Sequence, residues 1–270
     1  METNELKLLH EELLKMVQEV HKICVDYNIK YTMLAGTMLG AIRHKGFIPW
    51  DDDIDLGMTW DNYNKFIKIM SELNHPWLEL EFPLDKNYCY FLKVYDKNTT
   101  FIQSQRQEKS RGVFIDVFPI VHSGDTIKEV NRRISKCSFY KAMLLRKMYK
   151  IEESSLREII LSFVARFYTK KYVYKRIMEL YEESNKTKSV FSSILFSRLK
   201  DTMPTELYES VQLYDFENIR LYGVNDYHKY LSDQFGDYMR MPPKELQIPH
   251  HFYFLDTKLP WREYRTKIQK

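Results

Sequence analysis

A chain of 270 residues with 44% hydrophobic and 29% charged side chains can bury an ordinary globular core, which excludes a disordered or fibrous protein. No window reaches the roughly 18 to 20 apolar residues that a membrane-spanning helix needs; the closest, IILSFVARFY at 159–168, is short and carries Arg166. The net charge of +4 hides a division, because residues 125–200 hold 18 Lys/Arg against 8 Asp/Glu and leave a net of −6 to the rest, so one region attracts anions and the other gathers carboxylates.

In chain order, METNELKLLHEELL is acidic and amphipathic, and without a cationic segment leading into an apolar run it predicts no signal peptide. Leu6, Leu9, Leu13, Met16, Val17, Val20, Ile23 and Cys24 recur at three-and-four spacing, a helix over residues 4–27 with one buried face. KYTMLAG reads as a short strand ended by Gly36 and Thr37, with TMLGAIRH opening a short helix on that turn. A second strand is expected from Asp53 to Gly57, after Pro49, and a helix capped by Thr59 from Trp60 to Leu73. LELEF (78–82), YFLKVYD (90–96), TTFIQ (99–103) and GVFIDVFPI (112–120) read as strands.

From about Gly124 the chain turns basic and helical in pattern, through to SVFSSILFSRL (189–199), with Pro204 closing the run. A further helix is expected over Asp226–Phe235 with Gly236 at its C-terminal end. The expected organisation is α+β: a catalytic core over 1–122, one mixed sheet with helices packed on it, and a mainly helical region with a basic face over 123–270. Cys24, Cys89 and Cys137 are odd in number and share no metal or disulfide spacing, so they read as reduced thiols of a cytoplasmic protein.

The informative stretch is LAGTMLGAIRHKGFIPWDDDIDLGM (34–58), with Asp51, Asp52, Asp53 and Asp55 in five positions. On a strand, alternate side chains share a face. Asp53 and Asp55 then project together, joined by Asp51 if the strand reaches back that far, while Asp52, Ile54 and Leu56 point the other way. Neighbouring carboxylates repel unless a cation neutralises them, and a hard divalent ion does so through oxygen ligands. A solvated acidic loop is disfavoured by Ile54, Leu56 and the preceding GFIPW. A calcium loop is disfavoured because Leu56 and Asn62 stand where it needs Gly and Glu. An acidic helix N-terminus is disfavoured because Thr59 already serves the next helix. Asp116, flanked by Phe114, Ile115, Val117 and Phe118, needs a partner in so apolar a strand. With Asp53 and Asp55 it makes a three-carboxylate site suited to metal-assisted phosphoryl or nucleotidyl transfer. The Gly36–Thr37 turn adds backbone N–H groups at a helix N-terminus, where a phosphate is well placed.

Gly-Thr opening a helix, Asp-Ile-Asp on a strand and a third Asp on a later strand resemble the polymerase-β-like nucleotidyltransferase fold. GTMLGAIRHKGFIPWDDDIDLGM, with FLKVYDKNT, GVFIDVFPI and FGDYMRMPP, is similar to the LicD family of bacterial phosphocholine transferases, related to the fukutin-type phosphotransferases. The resemblance covers residues 20–120 and 222–251 and fades in the helical middle. It implies CDP-choline as donor, a sugar hydroxyl of a glycan or teichoic-acid precursor as acceptor, that acceptor being lipid-linked, and CMP as leaving group. It places Asp53 and Asp55 as ligands of Mg²⁺, or Mn²⁺ in its stead, with Asp116 as a third ligand or the base. Thr37 stands where the wider superfamily carries Ser.

Other candidates rest on chemistry and motif together. Arg43 offers a planar fork for the donor diphosphate, or is a surface Arg at a helix end; His44 beside it is open between a substrate contact and a structural role. Lys93 suits a phosphate contact or guards an edge strand. His250 and His251 match the family's tail. Trp50, Trp60, Tyr88 and Tyr90 are candidates to box a quaternary ammonium, or are core. The basic region suggests peripheral contact at the inner face of the membrane, or an anionic acceptor, or is simply a solvated basic surface; no motif supports nucleic acid. The alternatives are ribitol- or glycerol-phosphate transfer from another CDP-alcohol, a catalytically silent glycan-binding protein, and a glycosyltransferase with an Asp-x-Asp metal pair.

Overall fold

In the computed structural model, which describes residues 3–81, 90–103, 111–148, 155–248 and 252–268, the chain forms two compact units. One gathers the described parts of Met1–Glu81, Leu92–Phe118 and Ser210–Lys270, the other those of Phe82–Phe91 and Pro119–Glu209. The boundary expected at residue 122 is therefore not where the chain divides, because Ser210–Lys270 returns to the first unit instead of extending the helical region.

The first unit begins with α1 (Thr3–Asp26), whose stripe from Leu6 to Cys24 is buried as its spacing requires. β1 (Thr32–Met33) leads into α2 (Ala35–Arg43), then β2 (Asp55–Thr59), α3 (Trp60–Leu73), β3 (Leu78–Glu81), β4 (Leu92–Asp96), β5 (Thr100–Ile102) and the first half of β6 (Phe114–Gly124). The strand order is β1-β2-β6-β4-β3, with β1 antiparallel to β2 and β4 antiparallel to both β3 and β6. β4 thus lies between two strands, which corrects the reading of Lys93 as an edge-strand lysine. β2 starts at Asp55 and runs to Thr59, two residues later than expected, so Asp53 precedes the strand.

In the second unit the rest of β6 is followed by α4 (Ile127–Met148), α5 (Leu156–Ala165) and α6 (Lys170–Ser184). The Ser155 and Thr169 hydroxyls cap α5 and α6 by accepting from Glu158 N and Tyr172 N. SVFSSILFSRL is not a helix: it contains β7 (Phe191–Ile194), which pairs with β6 and with β8 (Thr202–Pro204), ahead of α7 (Thr205–Glu209). Leu195 and Phe196 take positive φ, a conformation a right-handed helix cannot hold, and Lys141 Nζ and Tyr181 Oη both donate to the Leu195 carbonyl.

The tail returns as a hairpin that the sequence reading passed over, β9 (Val211–Phe216) and β10 (Ile219–Val224), joined by Glu217 and Asn218. In β10, Tyr222 N donates to the Oη of Tyr31, the residue before β1, at 3.4 Å. α8 (Tyr227–Phe235) is capped by Asp226 and ends at Gly236 with φ 69°, as expected. β11 (Phe254–Asp256) pairs with β5, and α9 (Trp261–Ile268) follows. The α+β reading, a sheet with helices, holds. Cys24 and Cys137 are buried free thiols; Cys89 lies outside the described residues. No helix among the described residues is long and apolar enough to cross a membrane.

Candidate active site

The site is built around the turn from β1 into α2. Ala35 takes φ 42°, uncommon for a residue with a side chain, and its N–H donates to Tyr230 Oη at 3.0 Å. Leu34 N donates to the Asp55 carbonyl at 2.9 Å, and Asp55 N donates to Thr37 Oγ1 at 2.9 Å. The Gly-Thr turn is therefore stitched directly to the strand that carries the acids. A Cβ on Gly36 would lie 2.4 Å from Asp51 Oδ2, so the missing side chain makes room for a carboxylate at the start of α2. Gly36→Ala is expected to displace Asp51, lower turnover about tenfold or more, and cost 1–3 kcal/mol of stability, roughly the overpacking range. Thermal melts and initial rates on the purified variant check this.

Burial alternates from Asp51 to Leu56 even though β2 begins only at Asp55: Asp52, Ile54 and Leu56 are buried, while Asp51, Asp53 and Asp55 keep some access to solvent. Asp116 N donates to the Ile54 carbonyl at 3.0 Å, which ties β6 to this segment, and Lys93 Nζ donates to Asp116 Oδ1. Lys93 and Asp116 face each other in register across β4 and β6. Burial, and then the charges of Asp53, Asp116 and Asp51, hold the Asp55 carboxyl well above the usual carboxylate range; Lys93 opposes them. Carboxylate oxygens of Asp51, Asp52 and Asp53 also lie within 4.8 Å of one another. Asp52, which alternation turned away from the others, thus has a carboxylate oxygen beside those of Asp51 and Asp53. An all-oxygen, mutually repelling donor set fits a hard divalent cation such as Mg²⁺ or Mn²⁺.

The remaining candidates take several places. Arg43 Nη1 donates to the carbonyls of Tyr238 (3.0 Å) and Arg240 (3.5 Å), and its Nε donates to His44 Nε2 at 3.0 Å. Arg43 thereby fastens α2 to the FGDYMR segment after α8. Burial and the Arg43 charge lower the His44 pKa, in keeping with a neutral ring that accepts. Trp50 meets His44 edge-on at 6.1 Å, Trp60 stacks with Tyr63 at 5.8 Å, and Lys141 Nζ lies 4.7 Å from the Tyr90 ring centroid. These three aromatics have different neighbours, and none of these contacts joins them into a box. Tyr88, His250 and His251 lie outside the described residues.

Three supports escaped the sequence reading. His10 Nε2 lies 2.7 Å from the Asp51 carbonyl, and its ring stacks on Phe47 at 4.1 Å; burial lowers its pKa. Glu217 accepts from Phe47 N at 3.0 Å, and a Cβ on Gly46 would meet its carboxylate at 2.0 Å. Tyr230 holds Ala35. Each stands 37 to 195 positions from the residue it contacts, and no local pattern announces it.

Residues 28–152 match the family model described as LicD/FKTN/FKRP, nucleotidyltransferase domain. That stretch, just under half of the chain, is similar to the LicD-family domain. Over 248 residues it is 27% identical to the lipopolysaccharide cholinephosphotransferase LicD of Haemophilus influenzae, covering 88% of this chain and 92% of that protein. An uncharacterized protein of Rickettsia typhi is 29% identical over 107 residues, 40% of this chain and 33% of its own length. One of Rickettsia prowazekii is 31% identical over 77 residues, 28% of this chain and 29% of its own. The matched segment of the LicD-family domain contains Gly36, Thr37, Arg43, the four clustered aspartates, Lys93 and Asp116. The match to the H. influenzae protein spans most of both chains.

Proposed function

We propose that this protein transfers phosphocholine from CDP-choline to a sugar hydroxyl of a cell-surface glycan or its precursor, releasing CMP. The observation that carries the reading is Asp55. A half-buried carboxylate held beside Asp51, Asp53 and Asp116 is costly for a fold with nothing to bind there. Similarity to a cholinephosphotransferase along most of the chain supplies the phosphocholine.

In this reading Asp53, Asp55 and Asp116 would hold Mg²⁺. The ion, when bound, supplies charge neutralisation to the donor diphosphate. The turn at Gly36 and Thr37 orients the phosphates at the start of α2. Lys93 donates to Asp116 Oδ1, and an Asp116 not on the ion would instead take the proton of the acceptor hydroxyl. The sugar oxygen forms its bond to the choline-bearing phosphorus, the bond from that phosphorus to the bridging oxygen breaks, and CMP leaves. Arg43 keeps α2 and the 238–240 segment together while this happens. Most of the rate enhancement comes from alignment and from charges fixed before the substrate arrives.

The test is CMP release from CDP-choline by the purified chain with a lipopolysaccharide acceptor, with CDP-ribitol and CDP-glycerol run in parallel. The expected result is turnover of CDP-choline that a chelator abolishes and added Mg²⁺ restores. Turnover only of another CDP-alcohol would replace the donor; acceptor binding without turnover of any would leave a binding protein.

A further inference from the structure

We propose that α5 and the turn after it form a docking surface for anionic lipid membranes. Leu156, Ile159, Ile160, Phe163 and Phe167 follow one another at spacings of three, one, three and four, and so share one side of the helix and its extension. That side faces solvent: Leu156 is 73% exposed, Ile160 53%, Phe163 57% and Phe167 72%. The rings of Phe163 and Phe167 meet edge-on at 5.2 Å, forming a paired aromatic end to the stripe. The stripe is also continuous with an open apolar groove between α4 and α5, where Leu156 and Ile160 face Ile134, Phe139 and Ala142. A contiguous apolar surface of this kind on a soluble unit marks an interaction site.

Charge selects the occupant. Residues 156–176 hold six Lys/Arg against the single Glu158, and Arg166, Lys170, Lys171 and Lys175 are exposed. An apolar stripe flanked by basic side chains fits a surface that offers hydrocarbon beneath negative headgroups. A second copy of the chain would bring the same positive charge to the same place and be repelled. The stripe spans too few residues to cross a bilayer, so the helix lies along the interface. Such a surface would hold the enzyme where a lipid-anchored acceptor is concentrated. Its test needs neither donor nor acceptor, so its failure and the failure of the transfer reaction are separately visible.

The experiment is flotation of the full chain with vesicles of phosphatidylcholine, alone or mixed with phosphatidylglycerol. The expected result is binding to the mixed vesicles only, weakened by salt and lowered about tenfold or more in the double variant Phe163→Ser/Phe167→Ser. Both side chains are exposed, so the variant should keep the wild-type melting curve and helix signal, and it should keep its rate with a water-soluble acceptor. Absence of vesicle binding by the wild type overturns the proposal. So does a dimer seen by light scattering that the double variant dissolves, because the stripe would then be a contact between copies.

Discussion

Asp55→Asn is expected to reduce CMP release at least about a hundredfold and, in metal-free buffer, to leave the protein more stable than the wild type. Both effects follow from one observation. The Asp55 carboxyl is held well above the usual carboxylate range by burial and by Asp53, Asp116 and Asp51, with Lys93 opposing. Ionised without a cation, it repels three neighbours in a site that water only partly reaches. An amide of the same shape removes that repulsion and keeps Asp55 N on Thr37 Oγ1, because that bond belongs to the backbone. The gain should be about 1 kcal/mol, the usual return when a strained functional residue is replaced. The loss of rate should match that of removing a group that fixes charge in the transition state, on the order of a hundredfold or more. Asp53→Asn should lose activity comparably, with a smaller change in stability. Urea denaturation with and without a chelator, alongside CMP release, reads both quantities. An Asp55→Asn protein that keeps its rate would remove the metal assignment, and one that is less stable than wild type in chelator would remove the account of repulsion.

Lys93→Met should act in the opposite sense on the fold. Lys93 and Asp116 are paired across β4 and β6, and their side chains are only 18% and 13% exposed. Lys93 Nζ also lies 3.6 Å from the Phe114 ring centroid, so its surroundings are partly apolar. Removing the lysine strands a carboxylate beside Asp55 and withdraws the positive charge that opposes the cluster. A cost of about 3 kcal/mol is expected, as when one member of a buried ion pair is deleted. The double variant Lys93→Met/Asp116→Asn should recover much of that loss, since no unpaired charge remains. Costs that simply add would mean that the two side chains do not depend on each other. Both variants should be poor catalysts, so denaturation midpoints, not rates, decide the question.

Much of the front of the molecule was legible because its signals are local. The stripe of α1, the bounds of α3, the cap and end of α8 and the strands around Asp116 follow from periodicity and terminal residues over short windows. The segment 189–199 misled because Phe191, Ile194 and Leu195 stand at the three-and-four spacing of a helix face, whereas the strand they belong to or follow buries Ser192 and Ser193 between them. The hairpin β9–β10 escaped for a related reason: its alternation is broken by half-buried tyrosines, and its turn, Glu217–Asn218, lacks the glycine that usually marks such a loop.

The sequence by itself pointed to the chemistry proposed for this protein: a Gly-Thr turn, four aspartates in five positions and a fifth in an apolar strand, in an order similar to that of the LicD family. It did so because carboxylates placed among Ile54, Leu56, Ile115 and Val117 have few physical uses. Only the tertiary structure decided how that chemistry is held. It placed Asp51 in the space left open by Gly36, tied Asp55 to Thr37, set Lys93 against Asp116, and turned Arg43 to the carbonyls of the tail. Those contacts join residues 15 to 197 positions apart, and such pairings are fixed by how β-strand register and chain return bring surfaces together, which no short window of residues encodes.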